Sequence, residues 1–302
     1  MITYNSAGRP AYNKVWYHAN CPDGFCAAML AWRQLKAQGH HVDYVPVSYG
    51  EYIPEYKAGD RILILDFSFK LPIMKDILQT VEIVTILDHH KTAWDELASL
   101  PVSVFHFDAD RSGAVMTHHF FYPDAPVPKL VQYVQDRDLW TWSLKNSREI
   151  SACLDTYPKS FEIWNTLFFG SSRPDVHVMA SKGRNILESQ KIQVERLASR
   201  AKPWKIAGYD GWVLNSTIYH SEIGHYLLEH KDESFVFACC YFITNDGIVH
   251  FSLRSRKEFN CSEIAKTFGG GGHPQAAGFE LSLSQFQELY EVNCGKILEH
   301  IG

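Results

Sequence analysis

The sequence lacks the features that mark membrane-spanning and disulfide-stabilised proteins. No run approaches the roughly 20 apolar residues that a membrane helix needs, and the first ten residues have no apolar core of the kind found in signal peptides. The seven cysteines form no Cys-x-x-Cys pair, and an odd number in a chain of 302 residues is not typical of a disulfide framework. We therefore expect a cytoplasmic protein in a reducing compartment.

A strong excess of either charge is also missing, as are repeats and low-complexity segments. The formal net charge of -5 argues against a surface that coats long nucleic acid by neutralising its phosphates. With 46% apolar residues over 302 positions, the chain can bury substantial cores, and its length fits two domains better than one. We expect a small or short anionic substrate, no long duplex nucleic acid and no membrane partner; a homodimer is left open.

Strand-like and helix-like segments alternate in the first half of the chain. Apolar, β-branched runs predict strands at residues 15–18, 42–47, 61–66, 83–87 and 102–107. Helix-like stretches, such as 25–37 and 112–121, lie between them. This alternation predicts an α/β fold with a parallel sheet and helices on both faces. A charged stretch at 175–200 predicts a connecting helix, and strands at 212–214, 235–243 and 248–253 predict a smaller α/β domain.

Three of the predicted strands end in carboxylates or imidazoles. The run at 84–87 leads into the motif Asp88-His89-His90, and similar residues follow the strands near positions 18 and 65. In a parallel sheet the carboxyl ends of strands meet in one crevice, so these side chains can converge. Several acids in one pocket repel each other unless cations neutralise them. The sequence predicts a divalent metal site that contains His18, Asp23, Asp66, Asp88, His89 and His90, and Asp136, with Asp138 as its competitor, is a candidate for one more carboxylate ligand.

A second motif lies near the other end of the chain, where four glycines at 269–272 precede His273. Glycines let backbone N–H groups approach an anion closely and adopt positive φ at little steric cost. Arg254 and Arg256, at the end of a predicted strand, add guanidinium donors that suit phosphate recognition. A flexible turn is the alternative for an isolated glycine run, but the neighbouring cations favour anion binding.

Taken together, these segments resemble the DHH phosphoesterase superfamily. The ordered matches are residues 18–24, Asp66, Asp88-His89-His90 and the acidic segment at Asp136. The second half resembles the family's DHH-associated substrate-binding domain through residues 251–256 and 269–278, so the resemblance spans nearly the whole chain. It implies a metal-dependent catalytic domain at 1–174, a linker helix at 175–203 and a substrate-binding domain at 204–302.

One residue departs from the family pattern. Many members carry Asp-x-Asp-Gly in the first motif, and Cys21 stands at the first of those positions. Either one metal binds more weakly, or His18 replaces the missing ligand, or Cys21 contributes a thiolate. We favour His18, because a small buried cysteine is the commoner fate of such a residue; loss of activity through this change is the remaining alternative.

The resemblance implies hydrolysis of a phosphoester with two divalent metals. Asp66 is expected to bridge the ions, and His90 to donate to a phosphoryl oxygen or to assist the leaving group. Manganese is the expected ion, because mixed carboxylate and imidazole ligation suits it, with Mg²⁺, Co²⁺ and Fe²⁺ as alternatives. The expected catalytic residues are Asp66, His89 and His90. The expected substrate-binding residues are Arg254, Ser255, Gly271, Gly272 and His273.

The substrate class is drawn from the same resemblance. Our first expectation is a linear 5′-phosphorylated diribonucleotide, or a very short oligonucleotide, cut to mononucleotides. The alternatives are a phosphatase of small phosphorylated nucleotides or oligophosphates, and a single-strand exonuclease. A further hypothesis is that the protein is not an enzyme but a nucleotide sensor, in which Cys21 marks a degraded metal site.

Other conspicuous residues have simpler interpretations. The pairs His40-His41 and His118-His119 are predicted to lie at the surface or to pack on helices. Asp108 and Asp110 are predicted to belong to a structural turn in which Ser112 caps the next helix. Trp140 and Trp142 are predicted to pack, with base stacking as the open alternative.

Overall fold

The computed structural model describes residues 11–39, 41–48 and 52–295, and the chain divides into two compact units, Met1–Leu187 and Glu188–Gly302. None of the helices in these ranges is long and apolar enough to cross a membrane. The finer division at residues 174 and 203 stays a prediction.

The first unit is built on a five-stranded sheet in which every pair of neighbours is parallel. Its strands are β1 (Lys14–His18), β2 (Asp43–Val47), β3 (Arg61–Leu65), β4 (Ile83–Asp88) and β5 (Phe105–Phe107). Their order in the sheet is β2-β1-β3-β4-β5. The predicted parallel α/β architecture is confirmed. β5 is shorter than predicted because a turn begins at Pro101. The carbonyl of Pro101 accepts hydrogen bonds from the N–H groups of Val104 and Phe105.

Helices cover both faces of this sheet. The helices in this part of the chain are α1 (Pro22–Ala37), α2 (Leu71–Thr80), α3 (Lys91–Leu97), α4 (Gly113–Phe121), α5 (Lys129–Asp138), α6 (Ser147–Leu154), α7 (Phe161–Phe169) and α8 (Val176–Ala198). Alternate residues of β3 point to opposite faces, as the pleat requires. Leu63 and Leu65 join the apolar cluster of α1 and α4, whereas Ile62 and Ile64 join that of α2 and α3. The sheet is therefore buried on both sides, which explains the continuous apolar strands.

The second unit contains a six-stranded mixed sheet with the order β10-β11-β9-β8-β7-β6. Its elements are β6 (Lys202–Ile206), β7 (Tyr209–Asn215), α9 (His220–His230), β8 (Phe237–Ile243), β9 (Ile248–Ser255), α10 (Cys261–Thr267), β10 (Gly271–His273), β11 (Ala276–Ser282) and α11 (Leu283–Cys294). Among the strands described in this sheet, β7 and β8 pair in parallel and the other neighbours pair antiparallel. Asn260 caps α10, because its side chain accepts the N–H of Ser262. The predicted smaller α/β fold is confirmed.

Candidate active site

Three neighbouring parallel strands bring polar side chains to one edge of the first sheet. β1 ends at His18, Asp66 follows β3, and His89 follows β4. One carboxylate oxygen of Asp66, Oδ2, lies 3.5 Å from Nδ1 of His18, and the other, Oδ1, lies 3.1 Å from Nε2 of His89. The convergence expected from strand ends is therefore present around Asp66.

The backbone of Asp66 is held in an unusual conformation. Its φ of 62° lies in the left-handed region, which costs a non-glycine residue about 1–2 kcal/mol. The N–H of Asp66 donates to the carbonyl of Leu87 on the next strand at 2.9 Å, and Asp66 has no solvent exposure. The sheet thus directs this carboxylate between two histidines at some cost in backbone energy.

Two helix termini add carboxylates to the same place. Asp23 lies in the first turn of α1, and both of its carboxylate oxygens accept the N–H of Ala114, at 3.2 Å. Asp138 is the last residue of α5, and its Oδ2 lies 3.3 Å from Nε2 of His89. His89 therefore contacts both Asp66 and Asp138.

Within the described residues, these side chains form two groups that could each hold a metal ion. One group is His18, Asp66 and His90, and the other is Asp23, His89 and Asp138. In each group, one ligand atom per residue lies within 4.8 Å of the others. The contact between Asp66 and His89, 3.1 Å long, joins the two groups.

Asp136, the preferred fourth carboxylate in the sequence analysis, points elsewhere. Its Oδ1 accepts the hydroxyl groups of Thr141 and Ser143 at 2.6 and 2.7 Å, and its Oδ2 accepts the N–H of Leu144 at 3.1 Å. These hydrogen bonds outweigh burial and hold the pKa of Asp136 below its usual range. Asp136 organises the loop after α5, and the geometry favours its competitor Asp138 as the ligand.

Asp88, another expected ligand, lies in neither group. Its Oδ1 is 2.7 Å from Nδ1 of His90 and also accepts the N–H of His90. The side chain of Asp88 is fully buried, and although burial opposes it, this carboxylate raises the pKa of His90 to about 9 in the metal-free protein. Because Nδ1 is held by Asp88, Nε2 is the nitrogen with which His90 could bind an ion. Asp88 therefore orients a candidate ligand.

Two glycines permit the close approach of these groups. A Cβ on Gly24 would lie 2.5 Å from the carbonyl oxygen of His18, and one on Gly113 would lie 2.6 Å from Cβ of Asp66. Gly24 belongs to the first motif, but Gly113 lies outside the motifs identified in the sequence. A glycine that opens a helix directly after a serine cap was the available signal. Ser112 does cap α4, as predicted, by accepting the N–H of Val115.

The electrostatics of the cluster are those of a site that needs cations. Burial, followed by the charges of Asp66 and Asp138, raises the pKa of Asp23 well above its usual range. Burial and the charge of Asp66 raise the pKa of Asp138 to about 6. Burial also acts on Asp66, but hydrogen bonds from His18 and His89 hold its pKa below the usual range. Two of the three carboxylates thus resist ionisation in the metal-free protein.

The donor set fits divalent metal ions. Oδ2 of Asp66 and Oδ2 of Asp138 are buried, and an imidazole nitrogen lies 3.5 Å from the first and 3.3 Å from the second. Carboxylate and imidazole donors are the ligands that manganese and iron take in proteins. A cation at each group would satisfy these oxygens and neutralise the repulsion among the carboxylates. The residues present therefore fit the metals expected from the sequence.

Cys21 takes no part in either group among the residues described here. Burial, with further contributions from Asp66 and Asp23, raises the pKa of its thiol, so the thiolate form is disfavoured. His18, by contrast, stands in the group with Asp66 and His90. This arrangement agrees with a histidine replacing the missing carboxylate.

In the second unit, Arg254 and Ser255 end β9 and have different surroundings. Nη2 of Arg254 donates to the hydroxyl of Ser221 at 2.5 Å. Oγ of Ser255 lies 2.7 Å from the carbonyl oxygen of Phe259 and 3.1 Å from that of Pro274, and Ser255 is buried. The expected substrate-binding role of Ser255 is therefore not favoured, because its hydroxyl is used to fix the surrounding backbone.

The glycine motif forms an exposed edge strand rather than an open loop. Gly271, Gly272 and His273 constitute β10, in which His273 pairs with Ala276. Gly272 has a φ of 139°, and a Cβ there would lie 2.6 Å from the carbonyl oxygen of Ala276. A Cβ on Gly271 would meet nothing within 4 Å. The positive φ and the close contact with Ala276 require a glycine at position 272. At Gly271 there is free space, beside the exposed side chain of His273.

The residues given simpler interpretations stay apart from both groups. His118 is buried on α4 and packs against Tyr122, with ring centroids 5.4 Å apart. Asp108 pairs with Arg111 at 3.3 Å and accepts the N–H of Asp110, as in a structural turn. His40 lies outside the described residues. Trp140 is exposed and does not pack in the core, although its ring lies 5.0 Å from that of Trp142.

Comparison with known proteins adds a family model and several relatives. The DHHA1 domain model matches residues 220–297. An uncharacterized protein of Acanthamoeba polyphaga mimivirus is 29% identical over 288 residues, covering 89% of this chain and 67% of that protein. Oligoribonuclease NrnB of Bacillus subtilis is 24% identical over 225 residues, covering 69% of this chain and 54% of that protein.

Solved structures share the fold across most of the chain. Exonuclease RecJ bound to manganese matches with a TM-score of 0.54 and 15% identity, over 91% of this chain and 88% of that one. A DHH domain from a member of the s1p family of ribosomal proteins matches with a TM-score of 0.58 and 12% identity, over 93% and 85%. This chain therefore carries a DHHA1 domain at residues 220–297 and shares the fold of DHH-domain structures.

The DHHA1 match accounts for the motifs in the second half of the chain. The DHHA1 match contains Arg254, His273 and the glycine strand, and the DHH motif itself supplies Asp88, His89 and His90. The chain spans about half the length of oligoribonuclease NrnB, 54%. The activity of that whole protein is therefore only a proposal for this chain.

Proposed function

We propose that this protein is a metal-dependent phosphodiesterase that hydrolyses linear 5′-phosphorylated diribonucleotides, or very short oligonucleotides, to mononucleotides. The observation that carries the proposal is the pair of ligand groups joined through Asp66 and His89, 3.1 Å apart. Two neighbouring cation sites around a shared carboxylate are the arrangement that phosphoryl-transfer enzymes use. The relation to oligoribonuclease NrnB supports short RNA as the substrate class.

The chain's own residues would act by holding charge in fixed positions. Asp66 would serve both groups, since its two carboxylate oxygens face different histidines. His90 would bind through Nε2 while Asp88 holds the ring, a role that we now favour over proton donation to the leaving group. Asp138 replaces Asp136 in the proposed ligand set. Bound divalent cations would supply charge neutralisation at the phosphoryl group and activation of water.

Manganese is the ion that we propose. Each group mixes carboxylate and imidazole donors, whereas magnesium prefers oxygen ligands and retained waters. The structure of RecJ with manganese, whose fold this chain shares, supports the choice. Magnesium, cobalt and iron are the alternatives to be compared in the same assay.

In the second unit, we propose that Arg254, Arg256 and His273 recognise anionic groups of the substrate. Nε and Nη2 of Arg256 are buried and have no hydrogen-bond partner in the described part of the chain. Guanidinium donors without an acceptor are costly, so a hydrogen bond to a phosphate oxygen would stabilise them. Oligophosphates share this chemistry and provide the second candidate function. A cytoplasmic location and a homodimer stay predictions.

The test is a product analysis of the full chain with Mn²⁺ and with a chelator. The substrates are a 5′-phosphorylated diribonucleotide, longer RNA, single-stranded DNA, 3′-phosphoadenosine 5′-phosphate and polyphosphate. Metal-dependent cleavage of the diribonucleotide, lost in Asp66→Asn and retained in the exposed control Asp124→Asn, is the expected result. Asparagine tolerates the left-handed φ of residue 66, so the variant is expected to fold. Binding without cleavage of any substrate would favour a nucleotide sensor and contradict the proposal.

A further inference from the structure

The loop after α5 holds two tryptophans in a conformation that bulky residues rarely adopt. Trp140 has a φ of 56° and Trp142 a φ of 50°. Such values persist only where the surroundings determine them. The carbonyl of Asp136 accepts the N–H groups of Thr141 and Trp142 at 3.0 and 3.2 Å, and its carboxylate accepts hydroxyl groups from the same loop. The backbone carbonyl and the carboxylate of Asp136 therefore hold the conformation of this loop.

This construction keeps a large aromatic ring in the solvent. Trp140 is 65% exposed, yet its ring packs against that of Trp142 at nearly a right angle, with centroids 5.0 Å apart. The guanidinium of Arg148 in turn lies 4.6 Å from the ring of Trp142. Trp142 and Arg148 thus support Trp140 from one side without burying it. A tryptophan whose only role is to pack in the core would be expected to be more deeply buried.

Trp140 also lies beside the candidate metal ligands. It lines a cavity of about 200 Å³ together with Pro22, Asp23, Val134, Arg137 and Asp138. Sites for whole drug-sized ligands occupy about 300–1,000 Å³, so this cavity holds only part of a ligand. It combines an aromatic wall, aliphatic side chains and two members of the ligand group that contains His89.

We propose that Trp140 is a stacking platform for a nucleobase attached to the reacting phosphate. The inference rests on the proposed phosphodiesterase activity and deepens it, because an oligophosphate has no ring to stack. Every base offers a π face, so the platform would select nucleotides over other phosphoesters without choosing among bases. Trp140 is then a specificity residue that contributes to binding, and Asp136 positions it.

The test compares two substrates and four proteins. The substrates are a 5′-phosphorylated diadenosine diribonucleotide and its analogue in which both bases are replaced by hydrogen. The proteins are the wild type, Trp140→Ala, Trp140→Phe and Trp94→Ala. Trp94→Ala is the control, because Trp94 is also an exposed tryptophan, with 46% of its surface accessible. Loss of stacking is expected to raise KM of Trp140→Ala for the diribonucleotide roughly 5- to 150-fold, with kcat little changed. KM for the analogue is expected to stay the same, and Trp140→Phe is expected to restore most of the affinity.

The outcomes that overturn the proposal are distinct. An unchanged KM in Trp140→Ala contradicts stacking, and an equal rise for both substrates indicates a structural role. Unfolding temperatures measured on the same samples show whether Trp140→Ala is misfolded. If it is, the KM values of Trp140→Phe and the wild type are compared instead. If the wild type cleaves no diribonucleotide, the proposed activity fails by itself. Binding of adenosine 5′-monophosphate in Mn²⁺ then tests Trp140, and equal affinities of wild type and Trp140→Ala contradict the platform.

Discussion

Asp136 and Asp138 lie in the last turn of one helix, two residues apart, and their carboxylates face different surroundings. Asp136 accepts hydrogen bonds from the loop that follows, whereas Oδ2 of Asp138 lies 3.3 Å from Nε2 of His89. Residues two apart on a helix do not share a face, so only one of the two can reach the strand ends. The helix therefore separates a structural carboxylate from a candidate metal ligand.

This separation predicts opposite consequences for two conservative changes. Asp138→Asn is expected to weaken Mn²⁺ binding by a factor of ten or more, because a charged ligand is lost while the fold is kept. Asp136→Asn is expected to destabilise the protein by about 1–3 kcal/mol, because its hydrogen bonds lose their charge assistance. Isothermal titration with Mn²⁺ and thermal unfolding in chelator measure the two effects. Stronger loss of metal affinity in Asp136→Asn would return that residue to the ligand set.

The raised pKa of Asp138 predicts how the metal-free protein responds to pH. Burial and the charge of Asp66 raise the pKa of the Asp138 carboxyl to about 6 in the folded state, above its usual value of 3.8. The folded state then binds more protons than the unfolded state between these values, so this group makes stability fall as pH rises from about 4 to 6. Unfolding temperatures in chelator should show this fall in the wild type and a smaller one in Asp138→Asn. Equal slopes in the two proteins would contradict it.

Most of the first sheet could be predicted because its strands are apolar on both faces and end in polar residues. β1, β3 and β4 were predicted within about one residue of their observed bounds. β10 and β11 were not, since a strand of glycines carries no apolar alternation that a sequence pattern could reveal. The glycine run was interpreted correctly as a site of positive φ, but its pairing with β11 depends on contacts across a hairpin.

The candidate site was predictable as a set of residues but not as a set of roles. Asp88, His89 and His90 are consecutive, yet His89 and His90 enter different groups and Asp88 enters neither. These differences arise from side-chain directions after the strand end, which residue types alone do not determine. The choice between Asp136 and Asp138 similarly depended on where the loop's hydroxyl groups lie.

The contact between Asp88 and His90 predicts a second-sphere effect on metal binding. Asp88→Asn removes the charge that orients the ring of His90 while keeping its shape. Loss of such a partner typically lowers metal affinity roughly 10- to 100-fold. Titration with Mn²⁺ measures the change, and Asp124→Asn is the control. In chelator, the pKa of His90 should fall in the variant, which ring proton shifts in NMR spectra would report; an unchanged pKa would remove the assigned role.

The space at Gly113 predicts that a single methyl group disturbs the site. In Gly113→Ala, the new Cβ would lie 2.9 Å from both Oδ1 of Asp66 and Oδ2 of Asp23. One of the two carboxylates must shift, so we expect lower Mn²⁺ affinity and a lower unfolding temperature. Gly271→Ala is the stability control, because its Cβ meets nothing within 4 Å. Equal unfolding temperatures and an unchanged affinity in Gly113→Ala would show that the carboxylates can move without loss.

In the second unit, Ser255 and Arg256 are neighbours with opposite predicted behaviour. Ser255→Ala is expected to cost about 1 kcal/mol of stability, because the carbonyl of Phe259 loses its hydroxyl donor, and to leave phosphate affinity unchanged. Arg256→Met is expected to leave stability equal or higher, because it removes buried guanidinium atoms that lack a partner among the described residues. The same change is expected to weaken inorganic phosphate binding about tenfold, since a charge-assisted donor is lost. Thermal unfolding and phosphate titration of both variants separate the two roles. Destabilisation by Arg256→Met with intact phosphate binding would mean that the arginine supports the fold and that the anion is held elsewhere.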